Sequence, residues 1–148
     1  MKLFFTCLLV LFLSEAAMAA GGGGDMPPRV AQDPQMQMAK DQIEKKDWSA
    51  AIATLESFTK TNPQSADGFN LLGYSYRNLK RYDEALVAYK QALTLDPKHK
   101  GAHEYIGMAY IQMGQPAKAR EHLAALDKLC FFSCEEYRDL KKALEAVK

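Results

Sequence analysis

The fold of this chain is decided by residues 66 to 99, which read ADGFNLLGYSYRNLKRYDEALVAYKQALTLDPKH. The first half carries one helical face, with residues at i, i+3, i+4 and i+7: Phe69, Leu72, Gly73 and Tyr76. The second half carries another: Ala85, Tyr89 and Ala92. Asp96-Pro97 ends the second helix, because a residue before proline is pushed out of the α region. The stretch therefore predicts a helical hairpin.

Large and small residues alternate on these faces, as they do where two helices pack closely. Gly73 leaves room for a neighbouring helix, and Tyr76 and Tyr89 fill the space between helices. We expect a large side chain at Gly73 to cost about 1–3 kcal/mol of stability through overpacking.

The same pattern returns when the frame is shifted by 34 residues in either direction. The equivalent positions, from the first repeat to the third, are Ala51, Ala85 and Ala119; Leu55, Tyr89 and Leu123; Ala39, Gly73 and Gly107; and Met38, Leu72 and Ile106. A period of this length is typical of stacked helical hairpins.

The run from Leu72-Gly73 through Tyr82-Asp83-Glu84-Ala85 to Asp96-Pro97 resembles a tetratricopeptide repeat. The resemblance implies an all-α fold, a right-handed α-solenoid of three helical hairpins with a C-terminal capping helix. The expected boundaries are residues 32–65, 66–99 and 100–130 for the three repeats and 131–148 for the capping helix. A first helix that starts after Asp33-Pro34 fits this division, since proline suits the first helical position.

The N-terminus has the form of an export signal. A basic start precedes the apolar run Leu3 to Leu13, and Ala17-Met18-Ala19 has the form of a signal-peptidase site. We expect residues 1–19 to be removed and residues 20–31, which hold four consecutive glycines, to form a disordered linker. The alternative is an uncleaved membrane anchor, which the short apolar run disfavours.

Charge and motif content narrow the function classes. A formal net charge of +1 gives no reason to expect a nucleic-acid partner. No further apolar stretch is long enough to predict membrane insertion after signal cleavage. The histidines His99, His103 and His122 lack partners at the spacing of an acid–base or nucleophile arrangement, and His103 is expected to be a packing residue. We expect no enzyme, no cofactor and no metal.

The C-terminal stretch predicts a seventh helix that shields the end of the array. Ser133 to Glu136 has the spacing of a capping box, with Ser133 as the N-cap. One apolar stripe follows: Tyr137, Leu140, Leu144 and Val147. We expect Phe131-Phe132 to fill the corner between this helix and the third hairpin.

Cys130 and Cys134 bracket that corner. In an oxidising compartment we expect them to form a disulfide that adds about 2 kcal/mol of stability. A redox pair is the rival interpretation, because a thiol at a helix N-terminus has a lowered pKa. The spacing C-x-x-x-C argues against it, and a zinc site would need two more ligands.

The resemblance also implies where a partner would bind, because in the family the first helix of each repeat lines a concave groove. The predicted groove residues are Met36, Lys40, Asn70, Tyr74, Arg77, Asn78, Glu104, Met108 and Ile111, with Ile43 and Gln112 beside them. Exposed Met and Tyr beside Arg and Asn suit a peptide segment. The alternative is that these residues only pack between repeats.

Some members of the family clamp the acidic tail of a chaperone with Lys and Asn side chains. The matching slots are Met36, Lys40, Leu71, Gly101 and Tyr105, of which only Lys40 is basic. The expected function is therefore a non-catalytic adaptor or scaffold of the bacterial cell envelope, exported to the periplasm or secreted, with self-association possible. The alternatives are a thiol-active accessory protein that uses Cys130 and Cys134, and a structural subunit that uses its convex face.

Overall fold

The computed structural model describes residues 33–147, and this range consists of helices and short turns. The predicted signal peptide and linker, residues 1–31, lie outside it. The helices are α1 (Pro34–Glu44), α2 (Trp48–Thr61), α3 (Ala66–Asn78), α4 (Tyr82–Leu95), α5 (Lys100–Gln112), α6 (Pro116–Leu129) and α7 (Glu135–Ala146). No helix within residues 33–147 is both long enough and apolar enough to cross a bilayer.

Local sequence signals set the helix ends. The Asp33 carboxylate accepts hydrogen bonds from the backbone N–H groups of Gln35 (2.8 Å) and Met36 (3.3 Å), and Pro34 takes the first turn. These contacts satisfy backbone donors that the first turn leaves without a helical partner. Helix α4 ends at Leu95, immediately before Asp96-Pro97, as predicted.

Each helix packs against the next one along the chain, and α5 also contacts α3 and α7. The helices α3, α5 and α7 therefore lie side by side in one layer. The even-numbered helices pack against this layer from the other side. The three pairs α1–α2, α3–α4 and α5–α6 are the three predicted hairpins.

The core follows the repeat period. Ala51, Ala85 and Ala119, one from each repeat, are completely buried. A Cβ atom on Gly73 would lie 2.6 Å from the Tyr89 ring, so this position has no room for a side chain. At the equivalent Gly107, the group in the way is Leu140 of α7, at 2.5 Å. The glycine at this repeat position therefore leaves room for the Tyr89 ring in the second repeat and for Leu140 of the capping helix in the third.

Helix α7 covers the end of the array through two leucines. Leu140 is fully buried and Leu144 nearly so, and both pack with Ala119 and Leu126 of α6. The structure joins Cys130 and Cys134 by a disulfide, with their Cα atoms 5.4 Å apart.

Three expectations for this corner are wrong. Ser133 is not the N-cap: it has a φ of 48°, Cys134 takes the cap position, and no side chain caps the helix. Glu136 is therefore one residue too early for a capping box. Phe131 and Phe132 are 93% and 87% exposed, because Cys130 packs into the corner in their place. Val147, at the end of the stripe, is 43% exposed.

Candidate partner-binding groove

The nine predicted groove residues lie on α1, α3 and α5, and we call this surface the inner groove. Its members differ in exposure. Lys40 and Asn78 are exposed, Asn70 is buried at 6% exposure, and the others are partly exposed: Met36, Tyr74, Arg77, Glu104, Met108 and Ile111. The inner groove is therefore mostly lined by partly exposed side chains, and fully exposed polar side chains are a minority.

Three aromatic rings cross the inner groove and join the repeats; we call Trp48, Tyr74 and Tyr105 the aromatic row. The Tyr74 ring meets Trp48 edge to face, with centroids 5.8 Å apart. On its other side it meets Tyr105 at 4.9 Å. Tyr105 in turn lies 6.2 Å from the fully buried Tyr89. Because such pairs add stability beyond their buried area, the row holds Tyr74 in a fixed position.

Arg77 lies against the aromatic row. Its Cζ is 5.2 Å from the Tyr74 centroid and 5.6 Å from the Tyr105 centroid, within the range of a cation–π interaction. Its Nη1 donates to Gln112 at 3.4 Å, while its Nε is buried without a hydrogen-bond partner among residues 33–147.

Beside the first repeat, the groove opens into a cavity of about 200 Å³. It is lined by Met36, Lys40, Asp67, Asn70 and Leu71. The Oδ1 of Asn70 is buried there and accepts no hydrogen bond from the described residues. The exposed side chains of Lys40 and Asp67 offer a cation and a carboxylate to a ligand at this end.

The other end of the groove is acidic. A cavity of about 270 Å³ is lined by Gly101, Glu104, Tyr105, Glu135, Glu136 and Asp139. Burial, together with smaller contributions from the nearby carboxylates of Asp139 and Glu136, raises the pKa of Glu104 to about 7 against the opposing effect of Arg77. We call this cavity the acidic end.

The placement of the other predicted residues is mixed. Asn78 donates to the backbone oxygen of Tyr74 at 2.8 Å. Met108 and Ile111 pack against the cluster formed with α7, so the capping helix covers part of the third repeat. The prediction that these nine residues bind a partner stays a prediction.

Sequence reasoning missed five residues of this surface: Trp48, Tyr105, Glu135, Glu136 and Asp139. Trp48 belongs to α2, and from the sequence Tyr105 was considered only as one of the positions that clamp a chaperone tail in some members of the family. The three acidic residues belong to α7, which lies outside the repeat period. Two acidic residues at a helix start look like dipole compensation, and only the packing of α7 beside α5 brings them to the groove.

Comparison with known proteins decides the family. Family models described as tetratricopeptide repeat match residues 66–99 in one case and residues 35–65 and 102–129 in the other. The chain belongs to the tetratricopeptide repeat family. Its three hairpins are three such repeats, and α7 follows them as the capping helix.

Similar proteins contain the same repeats in different settings. Protein bimA of Emericella nidulans is 31% identical over 84 residues, which is 57% of this chain and only 10% of that protein. A solved structure of a MamA mutant has a TM-score of 0.61 at 27% identity, covering 65% of this chain and 70% of the other. The TPR2B domain of yeast Sti1, solved in a complex with pHsp70, has a TM-score of 0.71 at 21% identity, covering 76% and 92%.

Tetratricopeptide repeats generally mediate protein–protein interactions and are typically non-catalytic. Within residues 33–147 there is no group of three or more His, Cys, Asp or Glu side chains that could hold a metal ion. By family, the repeat array is a protein-interaction module.

Proposed function

We propose that this protein is an exported adaptor of the bacterial cell envelope, and that its inner groove binds an extended segment of another protein. The observation that carries the proposal is the stack of Arg77 on Tyr74 and Tyr105 at the centre of the groove. The stack joins repeats two and three and stays partly exposed. Aromatic and arginine side chains in such settings dominate the energetics of binding surfaces.

The two ends of the groove favour a segment of defined polarity. One end is lined by Lys40 and Asp67, whose charges balance, whereas the other end is lined by four carboxylates and no cation. A segment with a basic side chain at the acidic end would relieve the repulsion between Glu104, Glu136 and Asp139.

A pull-down from envelope extract tests the groove. The bait is the protein itself beside a Tyr74→Ala/Arg77→Ala variant, which removes the central stack. The matched control is Lys90→Ala/Arg120→Ala, which truncates two exposed cations of the even-numbered helices. We expect the control to keep the partner and the groove variant to lose it, with circular dichroism showing that all three fold. Equal capture by all three would contradict the groove proposal.

Export and the role of the disulfide are parts of the same proposal. The signal-like N-terminus supports export, and cleavage predicts a chain that begins at Ala20 in a periplasmic fraction. Recovery of the full chain in the cytoplasm would contradict it. The C-x-x-x-C spacing and the contact of Cys130 with the α7 cluster support a structural disulfide that joins α7 to the third hairpin.

A further inference from the structure

The face of α3 that points away from the inner groove borders a second cavity, which we call the outer pocket. It has a volume of about 550 Å³ and lies between α2, α3 and α4. Its apolar lining consists of Phe69, Leu72, Tyr76, Val87 and Ala88. Val87, at the edge of the cavity, is 70% exposed.

The third repeat shows why the pocket is open. Shifted by 34 residues, Phe69 becomes His103 and Ala88 becomes His122. In the third repeat these two rings fill the equivalent space, with their Nδ1 atoms 3.1 Å apart and the His122 ring packed near Tyr110. In the second repeat the small Ala88 side chain leaves that space empty.

The first repeat closes the equivalent space in another way. Phe69 becomes Gln35 and Gln91 becomes Ser57. The Gln35 Nε2 donates to the Ser57 Oγ at 3.1 Å, so a hydrogen bond spans the position. In the second repeat this space is open and is lined with apolar side chains.

The rim of the outer pocket is acidic. Three carboxylates line it: Glu56, Asp83 and Glu84. Glu84 pairs with Arg81 at 2.8 Å, and the Tyr76 hydroxyl donates to Glu56. Arg81 itself lies over the Tyr76 ring, and Asp83 makes no salt bridge with the described residues. With Arg81 counted, the rim keeps an excess of negative charge.

We infer that the outer pocket is a second docking site, which takes one apolar anchor side chain of a protein segment that carries Lys or Arg beside the anchor. The apolar lining selects the anchor, and the acidic rim selects the flanking cations. The site is separate from the inner groove, since α3 turns Phe69, Leu72 and Tyr76 to one surface and Asn70, Tyr74 and Arg77 to the other. The two sites can therefore bind different segments at once.

Peptide display on the purified protein tests this inference directly. Random twelve-residue peptides are selected on the protein and counter-selected on an Ala88→His variant, which copies His122 of the third repeat into the second. We expect enriched peptides with an aromatic or aliphatic anchor within four positions of Lys or Arg. Their Kd should rise at least tenfold on the variant and stay unchanged on Tyr74→Ala/Arg77→Ala.

A second variant provides a test that does not depend on correct folding of the variant with the filled pocket. Val87→Lys alters one largely exposed side chain and turns the rim toward positive charge, so it should fold normally and weaken the same peptides. Failure to enrich any peptide, enrichment of acidic peptides, or equal binding to the filled variant would overturn the inference. So would self-association that is lost in both Val87→Lys and Phe131→Ser/Phe132→Ser, because the occupant would then be a second copy.

Discussion

The inner groove and the outer pocket share helix α3 but differ in chemistry. On one side Tyr74 and Arg77 form a charged aromatic surface between two polar ends. On the other side Phe69 and Leu72 border an apolar cavity with an acidic rim. Helix α3 has thirteen residues and contributes to both surfaces, because residues at different positions around the helix face different sides. The difference suggests that the two surfaces can be disabled one at a time.

The largest effect is expected from a substitution that perturbs the inner groove and leaves the outer pocket intact. Leu140→Ala removes a fully buried side chain that seats α7 on Gly107. We expect a loss of about 2–5 kcal/mol in the free energy of unfolding, measured by urea denaturation. Because α7 supplies three of the carboxylates of the acidic end and none of the outer pocket, groove binding should weaken while pocket binding persists. Glu145→Ala, an exposed change on the same helix, is the control and should leave both unchanged.

Reduction of the disulfide should have a smaller effect of the same kind. The bond closes a short loop ahead of α7, and its loss is expected to cost about 2 kcal/mol in the chain-entropy model. A Cys130→Ser/Cys134→Ser variant should lower the melting temperature to the same extent as a reductant does on the native chain. Mass analysis under non-reducing conditions provides the check: two alkylated thiols on protein purified from the periplasm would contradict the disulfide.

The sequence predicted most of the array because its signals are local or periodic. Asp33 and Asp96-Pro97 mark helix ends through backbone geometry that does not depend on the rest of the fold. The period also identified Gly73 and Ala85 as positions of close packing. Such a pattern shows which positions are equivalent, so the hairpins and their packing faces follow directly.

The parts that failed depend on contacts outside the period. The sequence does not show that Leu140 of α7 occupies the space over Gly107, and so the acidic end was missed. The prediction for the corner before α7 was wrong for a similar reason, since the partly buried Cys130 packs there and Phe131 and Phe132 lie in solvent. The outer pocket was missed because an open space depends on a small residue, Ala88, that looks ordinary in a repeat.

The smallest expected effects are changes of stability with pH, and the first of them concerns Glu104 in the inner groove. Burial first, and the neighbouring acids second, raise the pKa of Glu104 to about 7, so the folded state binds a proton that the unfolded state has lost. The stabilisation that comes from protonated Glu104 is fully present below pH 4.5 and is lost as the pH rises to 7. Glu104→Gln should therefore raise the melting temperature at about pH 8 more than at about pH 4.

His122, which fills the outer space of the third repeat, should give the opposite slope. Burial, with a smaller effect of His103, lowers its pKa to about 4. The unfolded chain then takes up a proton that the folded chain excludes, so stability is present above pH 6.5 and falls as the pH drops toward 4. Melting curves of His122→Gln across this range provide the check, and an unchanged acid slope would contradict the assignment.

Photo-crosslinking in cells tests most directly that the inner groove is the partner site. A photoreactive phenylalanine analogue is placed at Asn78, an exposed groove position, or at Lys90, an exposed position on α4. The groove account predicts a covalent partner band from Asn78, which disappears when Tyr74→Ala/Arg77→Ala is added, and no such band from Lys90. The same band from both positions, or a band from Asn78 that survives the double substitution, would contradict it.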